Sequence, residues 1–208
     1  MMKKELHVIS TGQQEKADVI KIARSIHTYV DYIHLRENHR SPEEILHFIQ
    51  GMKEADIPLS KVILNGPSSV ALAGGVAGVQ LSHRGEDVLK VKKNYPMLRV
   101  GCSVHSLSEA LEKEKKGADF LLFGHVFESN SKPGLRPRGL HALQEITAYV
   151  SIPVIAIGGM IPSNVQEVLT AGASGVAVLS GIFGANDPER AAFNYHKELE
   201  VKQNDHLR

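Results

Sequence analysis

Short apolar, β-branched runs alternate with longer helical patterns eight times along this chain, and no other feature restricts the fold as much. The strand patterns fall near Leu6–Ser10, Tyr32–Leu35, Lys61–Leu64, Gly78–Leu81, Arg99–Val104, Phe120–Gly124, Pro153–Ile157 and Gly175–Leu179. Helical patterns follow them near Lys16–Thr28, Pro42–Ala55, Ser68–Ala73, Glu86–Lys93, Leu107–Lys116, Gly139–Tyr149, Pro162–Thr170 and Asp187–Glu200. Runs apolar on both faces, such as Val154-Ile155-Ala156-Ile157, suit parallel strands covered by helices. Ser41-Pro42-Glu43-Glu44 supplies an N-cap, a proline at the first helical position and acids in the first turn. Ser106, Ser163 and Asp187 offer similar starts, while Gly117 and Gly172 stand where helices must stop. Eight βα units within 208 residues predict an α/β chain folded as a single (β/α)8 TIM barrel. The alternative arrangement of the same elements is an open doubly wound sheet. No proline-rich linker divides the chain, so one domain is expected over residues 1–208, with 1–5 and 201–208 as frayed ends.

A barrel builds its site where strands end and the βα loops begin. Arg36 and Glu37, Asn65, His83 and Arg84, Ser103 and His105, and His125 all fall there. After the seventh strand, Gly158-Gly159 lets the backbone approach an anion with no Cβ in the way, and a helix start near Pro162 follows. After the eighth, Leu179-Ser180-Gly181 adds amides and a hydroxyl. Together the two loops form a candidate phosphate site.

The segment from Phe123 to Lys132 is the most chemically pointed stretch: an apolar strand runs into His125, then Ser129, Ser131 and Lys132 follow. An imidazole near its ordinary pKa of about 6.5 can carry a proton at neutral pH. Hydroxyls and a cation beside it suit a small anionic substrate. The lesser reading of His125 is a residue bonded to a neighbouring loop, and Arg36 reads equally as a bidentate anion clamp or as the partner of Glu37. The 11 histidines lack tight ligand spacing and no carboxylate clearly joins them, so no metal site is expected.

Composition narrows the function. The 24 basic and 23 acidic side chains nearly cancel and no basic block stands out, which leaves nucleic acid and anionic membranes without support as partners. The N-terminus has no apolar stretch of signal length and no segment reaches a membrane span, so a cytoplasmic protein is expected. The single Cys102 fits a reducing compartment and reads as a small strand residue rather than a nucleophile. A homodimer is compatible with a barrel of this size.

In this order, Tyr32-Ile33-His34-Leu35-Arg36-Glu37, Val62-Ile63-Leu64-Asn65, Gly78-Val79-Gln80-Leu81, Gly101-Cys102-Ser103-Val104-His105-Ser106, Phe123-Gly124-His125-Val126-Phe127 with Ser129-Asn130-Ser131-Lys132, Ile152-Pro153-Val154-Ile155-Ala156-Ile157-Gly158-Gly159 and Gly175-Val176-Ala177-Val178-Leu179-Ser180 resemble the thiamine phosphate synthase superfamily. The resemblance covers nearly the whole chain. It implies a (β/α)8 barrel that handles thiamin precursors. The synthases join an aminopyrimidine diphosphate to a thiazole phosphate and use Mg²⁺ held by two aspartates. Here Gly66 stands where the first aspartate should follow Asn65, and Ser82-His83-Arg84-Gly85 where the second belongs. The synthase pattern also carries Gln and Lys around its Leu-Arg-Glu, where this chain has His34 and Asn38.

At the position of His125 the synthases usually carry proline. A histidine there resembles the sister branch, the TenI-like thiazole tautomerases. The expectation drawn from these departures is a metal- and cofactor-independent isomerase that aromatises a carboxythiazole phosphate, with His125 as the acid–base residue. Its substrate contacts are expected from Arg36, Asn65, Ser103, Ser129, Ser131, Lys132, Gly158, Gly159, Leu179 and Ser180. The alternatives are a synthase with a degenerate metal site and a non-catalytic protein that binds a thiamin intermediate.

Overall fold

The computed structural model describes residues 3–83, 85–129, 131 and 134–201. Its strands are β1 (Glu5–Ile9), β2 (Tyr32–Leu35), β3 (Val62–Leu64), β4 (Gly78–Leu81), β5 (Arg99–Val104), β6 (Phe120–Gly124), β7 (Val154–Ile157) and β8 (Gly175–Val178). They pair in parallel in sequence order, and β1 closes on β8 through the register Leu6 to Val176. The (β/α)8 barrel is therefore borne out, and the open sheet is excluded by that closure.

The helices are α1 (Lys16–Ile26), α2 (Pro42–Glu54), α3 (Ser68–Ala73), α4 (Val88–Asn94), α5 (Leu107–Lys115), α6 (Gly139–Tyr149), α7 (Val165–Thr170), α8 (Ser180–Phe183) and α9 (Pro188–Glu200). At the start of α2, Ser41 Oγ accepts from Glu44 N–H and the Glu44 carboxylate accepts from Ser41 N–H, a complete capping box. Ser106 and Asp187 cap α5 and α9 as expected.

Three local readings change. Asp87 is the N-cap of α4, so Glu86 stays outside the helix and free to line the strand ends. Ser163 caps nothing: a 3₁₀ turn, Pro162–Asn164, precedes α7, and Asn164 Oδ1 accepts from Ile161 N–H instead. Lys61 belongs to a 3₁₀ turn, Leu59–Lys61, closed by its N–H on the Pro58 carbonyl, and its ammonium donates to the carbonyls of His27 and Val30.

Alternation along each strand separates two cores. Leu6, Val8, Val79, Val100, Cys102 and Phe123 face outward and meet the helices. Ile9, Ile63, Phe120, Leu122, Ile155 and Ala177 fill the barrel interior. Burial of nearly thirty further aliphatic side chains in the outer layer, at about 1.5–3 kcal/mol each, is what holds helices to sheet. The interior also holds polar groups, which extend from the N-terminal ends of the strands to the cleft at their C-terminal ends. No helix among the described residues is long and apolar enough to cross a membrane.

Candidate active site

A cleft of about 770 Å³ opens at the C-terminal ends of β2 to β5. Arg36, Asn65, Gly66, Gln80, Ser103 and Glu86 are among the residues on its wall. Three residues expected to touch substrate, Arg36, Asn65 and Ser103, are thus brought together.

Arg36 is not the partner of Glu37. The Glu37 carboxylate is buried and accepts from Ser10 Oγ at 2.9 Å and from Arg40 Nε at 3.2 Å. The guanidinium of Arg36 donates through Nη1 to the Thr11 carbonyl and makes no ion pair among the described residues. Its remaining donors suit a phosphate or carboxylate. Deeper in the cleft, Gln80 Nε2 donates to Ser103 Oγ at 3.1 Å. Gln80 Oε1 is buried and has no partner among the described residues, a costly state for an acceptor until something donates to it.

The second half of the site lies at β7 and β8. Gly158 and Gly159 have φ of +97° and +67°, the left-handed region that glycine enters without penalty. Close approach adds a second reason: a Cβ on Gly158 would stand 2.6 Å from His125 Cα, and one on Gly159 2.7 Å from Phe127 Cβ. The loop after β6 is laid directly on this turn, with Val126 N–H donating to Ile157 O and Phe127 N–H to Gly158 O. Leu179 precedes the four-residue α8, and the N–H groups of Gly159, Ser180 and Gly181 meet no main-chain acceptor among the described residues. These amides remain available to an anion.

His125 is buried, and its Nε2–H donates to the Leu135 carbonyl at 3.1 Å. Its own carbonyl accepts from Arg138 N–H, and the Gly124 carbonyl accepts from both Arg138 Nε and His105 Nδ1. His125 is thus the anchor of the 125–138 loop and does not line the cleft. Ser129 is half-buried and Ser131 exposed, with Ser131 N–H donating to Ser129 Oγ. Lys132 lies outside the described residues, as does Arg84.

Cys102 is buried on the outer face of β5, and desolvation pushes its thiol up to about 12, which removes it as a nucleophile. The two-aspartate magnesium site of the synthases is not matched. Among the described residues Glu86 is the one carboxylate on the cleft wall, and its Oε1 already accepts from Ser68 N–H at 2.8 Å. The described residues contain no group of three or more potential metal ligands. Mg²⁺ favours hard oxygen ligands, and one exposed, half-engaged carboxylate does not reproduce the pair.

The feature that sequence reasoning missed lies inside the barrel. Glu5 Oε2 and His7 Nε2 are 2.9 Å apart, His7 Nδ1 and His34 Nε2 2.9 Å, and His34 Nδ1 and the Asn65 amide 3.1 Å. Arg99 Nη2 donates to both oxygens of Glu5 and lies over the rings of Tyr32 and Phe120. The available signal was Glu5-x-His7 on one strand and Arg99-x-Gly101-x-Ser103 on another. Polar groups there occupy the face opposite Leu6, Val8, Val100 and Cys102.

Known proteins share this scaffold. A Pyrococcus abyssi protein named thiamine-phosphate synthase is 36% identical over 199 residues, covering 95% of this chain and 96% of its own length. A Chloroflexus aurantiacus protein of the same name is 34% identical over 200 residues, covering 94% and 90%. The solved structure of thiamine phosphate pyrophosphorylase from Pyrococcus furiosus superposes with a TM-score of 0.80 at 34% identity, covering 94% and 95% of the two chains. These relatives carry synthase names, which overturns the expectation of an isomerase: His125 resembles a tautomerase marker, but full-length similarity runs to proteins named as synthases. The family model described as thiamine monophosphate synthase (TMP-TENI) matches residues 6–182, and the chain belongs to that family.

Proposed function

We propose that this chain is a transferase of the thiamine-phosphate synthase kind, joining an aminopyrimidine diphosphate to a thiazole phosphate with release of pyrophosphate. The observation that carries this reading is the similarity to the Pyrococcus abyssi synthase across 95% of the chain. In the reaction, the thiazole nitrogen lone pair forms a C–N bond to the pyrimidine methylene carbon. The C–O bond to the diphosphate breaks, and its electron pair leaves on the diphosphate oxygen.

The two-part geometry supports a two-substrate reaction. The cleft at β2–β5 has room for a drug-sized ligand, and Arg36 on its wall has donors to spare for a diphosphate. The turns at Gly158-Gly159 and Leu179-Ser180 form a separate amide cup for the thiazole phosphate, with Ser129 and Ser131 on the adjoining loop. Asn65 and Ser103 orient the pyrimidine. His125 acts by position: its bond to Leu135 holds the loop across the Gly158 turn between the two halves. Holding both reactants in line is a large part of what such a site contributes, since positioning alone can remove about 7–11 kcal/mol of a barrier.

The test is to incubate the protein with both precursors in Mg²⁺ buffer and follow thiamine phosphate and pyrophosphate by chromatography. The two should appear in equal amounts; formation no faster than without protein defeats the transferase reading. One observation, the lone Glu86 carboxylate, favours a second reading: binding without turnover. It predicts calorimetric binding of thiazole phosphate with no product in the same mixture.

A further inference from the structure

The row of groups through the barrel interior has a direction that can be worked out from its ends. Glu5 is paired with Arg99 through both oxygens. Burial works to raise its carboxyl, but the bonds from His7 and Arg99 outweigh burial and hold it below the usual carboxylate value. It is therefore an acceptor only, and the His7 nitrogen facing it, Nε2, must carry a proton.

His7 and His34 are fully enclosed, and burial lowers both, His34 also through the charge of His7. Each ring is neutral and has one N–H. With its proton on Nε2, His7 presents a bare Nδ1, so His34 must donate to it from Nε2. His34 then presents a bare Nδ1 to Asn65. Two acceptors cannot share a hydrogen bond. The structure sets Asn65 Oδ1 against His34 Nδ1, but the two ends of an amide are equivalent in shape and the bonding network decides between them, so the NH₂ is assigned to that position. The carbonyl oxygen is left on the side of the cleft, whose wall Asn65 forms.

We propose that the buried Glu5–His7–His34 row is a positioning device that fixes the Asn65 amide with its carbonyl oxygen toward the cleft, so that the cleft floor selects ligands bringing a hydrogen-bond donor. An amide oxygen on the cleft side fits a ligand N–H such as an exocyclic amino group supplies. Identifying that group with the amine of an aminopyrimidine rests on the transferase reading, whereas the direction of the row does not.

The row acts through Asn65, so His7 and His34 are positioning residues, not catalytic ones. A register that merely filled space would accept an apolar replacement. A directional one needs a residue that donates toward His7 and accepts from Asn65. Glutamine can do both, with Nε2 toward His7 and Oε1 toward Asn65.

The experiment has two arms on the full chain. Long-range ¹H–¹⁵N NMR of the imidazoles at neutral pH reads the tautomers directly. The expected result is both His7 and His34 as neutral Nε2–H forms; a proton on His34 Nδ1 overturns the proposal whatever the protein catalyses. Calorimetry then compares an aminopyrimidine diphosphate with its analogue lacking the amino group. Wild type and His34→Gln should prefer the amine by about tenfold, the cost of leaving buried acceptors unsatisfied. His34→Leu should lose that preference while binding inorganic phosphate as before. Equal preference in His34→Leu and His34→Gln overturns the positioning role. Failure of wild type to bind either pyrimidine, with the NMR result as expected, overturns the transferase reading and leaves the row intact.

Discussion

Replacing Gly158 by alanine separates a turn that is glycine by habit from one that is glycine by necessity. Two penalties add at this position. The φ of +97° places alanine in left-handed space, at about 1–2 kcal/mol. The new Cβ would lie 2.6 Å from His125 Cα and closer still to His125 Cβ, and a main-chain atom cannot swing aside as a side-chain tip can. Overpacking of that kind costs about 1–3 kcal/mol, bringing the total to about 2–5 kcal/mol. Gly75 supplies the control. Its φ is +66°, and a Cβ there meets nothing within 4 Å, so Gly75→Ala bears the first penalty alone. Urea unfolding of the wild type and both variants measures the difference. Gly158→Ala should lose at least about 1 kcal/mol more than Gly75→Ala. In a chain of this length that corresponds to a melting point about 2–4 °C lower. Relief of the clash requires lifting the β6 loop, which breaks the bonds from Val126 to Ile157 and from Phe127 to Gly158, so affinity for the thiazole phosphate should fall as well. Equal destabilisation of the two variants would refute the packing argument and leave only backbone strain.

Cys102 should resist a thiol reagent in the folded protein at pH 8 and react stoichiometrically in denaturant, because burial holds its thiol near 12; folded-state labelling at the denatured rate contradicts the assigned burial. Stability should fall as pH drops below about 6.5, by up to about 1.4 kcal/mol per pH unit for each of His7 and His34, because the unfolded chain takes up protons that the folded rings refuse. Glu5, Asp31, Arg99 and Tyr32 surround the pair. Glu5 adds its own loss at lower pH, and His34→Gln should remove one histidine's share of the slope in denaturation measured from pH 7 to 5. Arg36→Gln should weaken diphosphate binding by about 10- to 100-fold, the loss of charge-assisted hydrogen bonds, with Arg36→Lys in between; unchanged calorimetric affinity would remove Arg36 from the site.

The sequence resolved the barrel because its evidence is local. Tyr32–Leu35, Gly78–Leu81, Arg99–Val104 and Phe120–Gly124 occur as strands with the bounds their patterns predict. The capping box at Ser41 and the glycine after α5 behave as isolated helix signals should. Asn65 and Ser103 could be placed at the strand ends by counting. The partners of side chains on different strands could not. Glu37 was equally available to Arg36 and to Arg40, and only the fold brings Ser10 and Arg40 onto its carboxylate and leaves Arg36 its free donors. His125 shows the same limit. Its proximity in sequence to Ser129 and Ser131 suggested a reacting group, whereas the folded loop returns at Leu135 to take its Nε2–H.

The polar interior explains why those strand-end residues can be read as a site at all. An apolar barrel would have needed none of Glu5, His7, His34 or Arg99, and burying four such groups costs several kcal/mol unless every donor finds an acceptor. Here the row is bonded end to end up to the cleft: Arg99 and His7 donate to Glu5, His34 donates to His7 and Asn65 to His34. Beyond that point the Asn65 amide, with its NH₂ assigned to His34, leaves its carbonyl oxygen on the side of the cleft. A network satisfied everywhere but at its mouth is one whose last partner comes from outside the chain. Its open end is an acceptor, so that partner must donate. Arg36 presents the opposite polarity on the same wall, so a ligand with an amine at one end and an anion at the other meets both demands in one orientation.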